Sequence, residues 1–272
     1  MTLDAKREAL LAEISRLESC AVAYSGGVDS AVVAKAAALA LGDKAVAVTG
    51  VSASLASGEL EAAAELASLI RIRHIVVNTD ELNQDGYTRN APDRCYHCKT
   101  ELYSQLARLL PGLGVQAIVN GANADDLGDY RPGMQAAAER QIHSPLADCG
   151  ITKAEVRQLA ADWGLPVADK PATPCLSSRI AYGEEVTPER LAMIDRAEQF
   201  LRSLGLANLR VRYHRGELAR LEVPLADLPQ LCEGNTRHQV AAELRRLGFN
   251  FVTLDLEGFR SGSLNQLVQI GT

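Results

Sequence analysis

The chain has 272 residues, 47% hydrophobic and 23% charged, enough for a sizeable core in one or two domains. Its 28 basic and 34 acidic residues leave a net charge of −6, so there is no bulk electrostatic case for binding DNA or RNA. No apolar run approaches the roughly 20 residues of a membrane span.

Residues 1–18 place Leu3, Leu10, Leu11, Ile14 and Leu17 among charges. That pattern predicts an amphipathic helix rather than a signal peptide, and with it a cytoplasmic location. Six cysteines in a cytoplasmic chain argue against a disulfide scaffold and for metal or catalytic use of some of them.

Residues 20–24 are an apolar run that ends in Ser25-Gly26-Gly27-Val28-Asp29-Ser30, and an alanine-rich helical pattern follows over 31–41. The order predicts strand, tight loop, helix. Glycines let backbone N–H groups approach a ligand, and the helix start adds unpaired N–H groups and a positive dipole end. This is a seat for a phosphate or pyrophosphate, with Ser25 and Ser30 able to donate to the same anion. Asp29 repels an anion, so its expected use is on a magnesium ion that accompanies a nucleotide. The structural alternative is a glycine turn with Asp29 or Ser30 as helix cap.

Strands are predicted at 44–50, 74–78 and 115–120, with a helix at 57–70. Strands alternating with helices argue an α/β fold with a doubly wound, mostly parallel sheet, whose ligands sit at the carboxyl ends of the strands. The fourth strand runs into Gly121-Ala122-Asn123-Ala124-Asp125-Asp126, a second polar cluster at that end, although Asn and Asp also favour ordinary turns.

Cys95 and Cys98 form a Cys-x-x-Cys pair with Lys99 beside it. Two such thiolates suit one soft metal centre, zinc or iron–sulfur, but are too few to close it. His97 between them is read as a neighbour and not a ligand. A helix with a Thr152/Glu155 capping box is predicted over 152–163. Residues 169–180 form a proline-rich loop that carries Cys175 and Arg179, and a nearby cation favours a thiolate. Cys20, Cys149 and Cys232 are expected to be packed and inert, Cys232 on an apolar helix face.

From residue 182 the pattern becomes α-β-β-α-α-β, a smaller α+β domain, so the expected division is 1–181 and 182–272. Arg210 and Arg212 share one face of a strand, either as a solvated surface or as a fork for a phosphate or carboxylate. The tail stretch 258–263, with Arg260 and Ser261, also suits an anion.

The Ser25–Ser30 loop resembles that of the N-type ATP pyrophosphatases. With the stretches 94–99, 121–126, 130–133, 170–179, 209–212 and 259–263, nearly the whole chain resembles the LarE-type sulfur transferases. The resemblance implies adenylylation by ATP of pyridinium-3,5-biscarboxylic acid mononucleotide, then thiocarboxylate formation, for the nickel-pincer nucleotide cofactor of lactate racemase-type enzymes. It implies that Ser25, Gly26, Gly27 and Ser30 hold pyrophosphate, and that Asp29 and Asp125 or Asp126 place magnesium. Gly121 and Asn123 would lie near ATP. Lys99 and Arg179 would steady negative charge, and Arg210, Arg212, Arg260 and Ser261 would bind substrate. Cys95, Cys98 and Cys175 match a three-thiolate 4Fe-4S pattern that carries sulfide from a donor. In the other branch of the family Cys175 gives up its own sulfur and is left as dehydroalanine. Relatives suggest a homo-oligomer. An ammonia-using ligase of the NAD synthetase kind, a zinc-stabilised nucleotide-binding protein and a tRNA thiolase are the competing readings. Activity that survives alanine at Cys95 would favour the first, zinc without iron the second, and the acidic balance counts against the third.

Overall fold

A computed structural model of the chain describes residues 1–128, 132–260 and Leu264. They form two compact units. The first comprises 1–52, 58–81 and 95–173, and the second 53–57, 82–94 and the part of the chain from 174 onward.

The first unit begins with α1 (Leu3–Ser15), capped by the Thr2 side chain. Then come β1 (Cys20–Ala23), α2 (Val28–Leu41), β2 (Ala45–Val51), α3 (Glu59–Ile70) and β3 (Arg73–Asn78). They are followed by α4 (Arg94–Leu113), β4 (Ala117–Val119), α5 (Pro132–Glu139) and α6 (Lys153–Asp162). The four strands are all parallel in the order β3-β2-β1-β4. Alternation along β1 splits the core. Cys20 and Val22 join α1, α2, α3 and α6 on one face, and Ala21 joins α4 and α5 on the other. Ala31, Ala34, Ala36 and Ala37 of α2 are fully buried, which explains the alanine run: small side chains let this central helix sit close to its neighbours.

The chain works outward from β1 to β2 and β3, then returns to add β4 on the other side of β1. That reversal makes a switch point between β1 and β4, where doubly wound sheets bind ligands beyond the strand ends.

In the second unit α7 (Pro188–Ser203) starts with a Thr187 cap and Pro188 in its first turn. β5 (Arg210–His214) pairs antiparallel with β6 (Leu218–Glu222), and β6 pairs parallel with β7 (Phe251–Leu254). Helix α8 (Gly234–Arg246) precedes β7. Cys232 differs from its expectation. It is exposed, because Leu231 takes the buried position of the short turn Leu228–Cys232. Among the described residues no helix is long and apolar enough to cross a membrane.

Candidate active site

The loop after β1 is held from beneath. Thr49 Oγ1 donates to the Tyr24 carbonyl at 2.8 Å and lies 2.8 Å from His74 Nε2. Since the threonine proton is already committed, His74 is the donor in the second bond. Burial lowers the His74 pKa, which keeps that ring neutral. The Tyr24 hydroxyl donates to the Ala63 carbonyl, which ties the loop to α3.

Helix α2 begins at Val28 with Gly27 as its cap residue and no side-chain cap, so Asp29 and Ser30 lie inside its first turn. Ser30 Oγ donates to the Gly27 carbonyl at 3.0 Å and accepts from the Ser25 amide at 3.2 Å, and the two serine hydroxyls are 3.1 Å apart. Gly26 has φ +72°, and a Cβ there would lie 3.0 Å from Ala63 Cβ. The loop therefore needs glycine both for its turn and for its contact with α3.

Gly121, just past β4, brings the second polar cluster against this loop. A Cβ on it would fall 2.8 Å from the Ser30 amide nitrogen. Asn123 Nδ2 donates to Asp29 Oδ1 at 3.1 Å. Asp126 is buried and accepts from the Asn123 amide, and Asp125 accepts from the Lys153 amide. Both carboxylates are thus engaged in fixing backbone. Lys153, which sequence reasoning missed, pairs its ammonium with Asp29 Oδ2. Nothing in the local pattern marks Lys153, because it stands merely as the first residue of a capped helix. Asp29 is one carboxylate beside the loop, and magnesium on a nucleotide needs few protein ligands besides phosphates and water. The residues fit such an ion at Asp29.

Cys95 and Cys98 stand one turn apart at the start of α4, the first exposed and the second partly so. Helix α5 packs beside this turn, against Lys99 and Tyr96, and leaves Cys95 exposed. A Cβ on Gly133 would approach Lys99 Cγ to 3.2 Å, and Tyr96 Oη donates to Glu139 at 2.6 Å. That bond holds the Glu139 carboxyl below its usual range and pushes the Tyr96 phenol up. Tyr130 and Arg131, part of a motif cited above, lie outside the described residues. Two thiols on one accessible turn suit two ligands of a soft centre. Among the described residues no group of three His, Cys, Asp or Glu is arranged to hold a metal ion.

In the second unit the Cys175 carbonyl accepts from the Ser178 amide, the Ser178 hydroxyl and Arg179 Nη1, at 2.7–3.0 Å. The backbone of Cys175 is fixed while its side chain remains partly exposed. Arg179 is itself buried and committed. It pairs with Glu198 and also donates to the Pro174 carbonyl. The segment before α4 braces the same loop. Asn90, in the left-handed region at φ 54°, donates to the carbonyls of Ile180, Ala181 and Glu184, and Arg94 donates to the Ser177 carbonyl at 2.7 Å.

Arg210 and Arg212 do share a face of β5, but the face is buried rather than solvated, with each arginine under 10% exposed. Arg212 pairs with Glu222 and donates to the Ser178 carbonyl. Arg210 lies 5.1 Å above the Phe259 ring, and burial together with Arg179 lowers its pKa to about 10. Arg220 pairs with Glu222 and Asp255, and Arg260 with Asp255 and Glu257. Ser261 lies outside the described residues.

A three-layer parallel α/β unit with a Ser-Gly-Gly-Val-Asp-Ser turn at its switch point is the architecture of a PP-loop nucleotide enzyme. A scan against protein-family models finds no match. The chain is 38% identical to the pyridinium-3,5-bisthiocarboxylic acid mononucleotide synthase of Lactiplantibacillus plantarum, over 97% of this chain and 95% of that one. It is 47% identical to an uncharacterized Synechocystis protein over 98% of this chain and 99% of that one. A tRNA-specific 2-thiouridylase from Azorhizobium caulinodans is 31% identical over 55% of this chain and 48% of its own. The chain belongs to the LarE-type family of ATP-dependent sulfur transferases, within the PP-loop superfamily.

Proposed function

We propose that the protein adenylylates the carboxylates of pyridinium-3,5-biscarboxylic acid mononucleotide with ATP and converts them to thiocarboxylates, for nickel-pincer cofactor synthesis and lactate racemase maturation. The observation that carries this reading is the near full-length identity to a synthase named for that bisthiocarboxylic product. The serine–glycine turn at the switch point supports it.

A carboxylate oxygen attacks the α-phosphorus and pyrophosphate leaves. Ser25, Gly26, Gly27 and Ser30 receive that pyrophosphate, with Gly121 and Asn123 shaping the wall and Asp125 and Asp126 fixing it. A sulfur nucleophile then attacks the acyl carbon and AMP leaves. Asp29 would hold magnesium, which when bound neutralises phosphate charge. Arg210, Arg212 and Arg260, with Ser261, are assigned to the anionic groups of the mononucleotide. Lys99 is assigned to charge on the acyl-adenylate. Arg179 acts as a positioning residue for Cys175. The reading carries a cytoplasmic homo-oligomer served by a sulfide donor.

For the sulfur we propose a 4Fe-4S cluster held by Cys95, Cys98 and Cys175, which when bound carries the sulfide to be transferred. The spacing of the first two on an accessible turn supports this. One observation favours the second reading, sacrifice of Cys175: its backbone is fixed with its thiol partly open, independently of any other cysteine. Anaerobic purification followed by turnover with ATP, substrate and sulfide decides. Repeated turnovers, with iron present and Cys175 intact, support the cluster. One turnover, with Cys175 lighter by the mass of hydrogen sulfide, supports sacrifice. Absence of AMP formation with this substrate would overturn the function itself.

A further inference from the structure

Both carboxylate oxygens of Asp29 are already taken, Oδ1 by Asn123 and Oδ2 by Lys153. A divalent ion on Asp29 would face the like charge of the Lys153 ammonium on the same carboxylate, so its arrival favours the departure of that donor. Asn123 is the fixed one. It is buried, its Oδ1 accepts the Asp125 amide at 3.0 Å, and its own amide donates to Asp126. Lys153 is pinned at its backbone, where its N–H donates to Asp125 at 2.9 Å, but its side chain is 36% exposed. A lysine ammonium is a compact charge with three donors on a flexible stem, suited to exchanging one anion for another.

We infer that Lys153 is a movable counter-ion at the nucleotide seat. It neutralises Asp29 while the seat is empty. When a magnesium nucleotide arrives it yields Asp29 to the metal and moves its ammonium onto the pyrophosphate oxygens. The inference rests on the ATP reading above and adds a phosphate-binding residue to it.

Titrating Lys153→Met and wild type with Mn²⁺ alone, followed by electron paramagnetic resonance, tests the first half. The variant should bind Mn²⁺ more tightly, and adding Asp29→Asn should remove the gain. Calorimetry with Mg²⁺ and α,β-methylene-ATP tests the second half. Affinity should fall about tenfold in Lys153→Met, the loss of one charged hydrogen bond, and largely return in Lys153→Arg. A measurement on the wild type guards against misfolding. Acetylation of Lys153, read by mass spectrometry, should be suppressed by the magnesium analogue and enhanced by Mn²⁺ alone. Unchanged Mn²⁺ and analogue affinities in Lys153→Met, or acetylation indifferent to both ligands, overturn the inference alone. A wild-type protein that binds no ATP analogue overturns the nucleotide reading and this inference with it.

Discussion

Arg179 and Glu198 meet fork to fork, Nε to Oε1 at 3.0 Å and Nη2 to Oε2 at 3.3 Å, with both side chains at most 1% exposed. A buried pair is costly to break on one side, about 3–5 kcal/mol, because the remaining charge is stranded. Arg179→Met should therefore lower the urea midpoint sharply, although Arg202 gives Glu198 a second partner. Arg179→Met with Glu198→Leu should recover part of the stability, because the stranded charge is gone but the buried Val211 amide loses Glu198 as its acceptor. It should not recover sulfur transfer, because the donor to the Pro174 and Cys175 carbonyls is still missing.

The approach of Gly121 to the start of α2 gives a steric prediction. Gly121→Ala should weaken binding of an ATP analogue about tenfold and destabilise the fold by about 1–3 kcal/mol, because its Cβ meets backbone rather than a yielding side chain. Gly128→Ala, which meets nothing within 4 Å, should leave both unchanged. Calorimetry and thermal melting check the pair.

The Thr152/Glu155 box closes α6, and Glu155 also accepts from Lys6 at 2.8 Å. The Lys6 bond, then the Thr152 amide, hold the Glu155 carboxyl below the usual value of 4.5. A depressed carboxylate binds fewer protons folded than unfolded, so its contribution is present above about 4.5 and is lost as pH falls through the lower folded value. Glu155→Gln should cost about 0.5–1 kcal/mol at pH 7, and the deficit should shrink on acidification below pH 4.5. Denaturation curves at pH 7, 5 and 3.5 measure it.

Cysteine reactivity should divide by burial. Cys20 is fully buried in β1, and burial pushes its thiol up to about 12. Cys95 and Cys232 are exposed. Iodoacetamide at pH 8 should label the latter two in native protein and reach Cys20 only after unfolding, as read by peptide mass spectrometry.

Much of this was legible residue by residue. The apolar run into Ser25–Ser30 announced β1, its turn and α2, and the Thr152/Glu155 spacing announced α6 with its cap. Helix α4 was not legible, because its first turn is a Cys-x-x-Cys pair that equally suits a loop and Pro111 lies near its end. The Lys153–Asp29 pair was invisible for a different reason. Its partners lie 124 positions apart, and only the return of the chain to β4 and α6 brings them together. The burial of Arg210 and Arg212 was likewise hidden, since alternation fixes a shared face but not what covers it.

The two compact units each draw on three separate stretches of sequence. Neither can be harvested as a freestanding fragment by one cut. A product ending at residue 173 would retain Asn90 and Arg94 but lose Ser177, Ile180, Ala181 and Glu184, whose carbonyls they clasp. Shuffling the C-terminal portion between relatives would have to transplant the short strips at 53–57 and 82–94 as well. Such strips should therefore be inherited together with that portion when chimaeras are built.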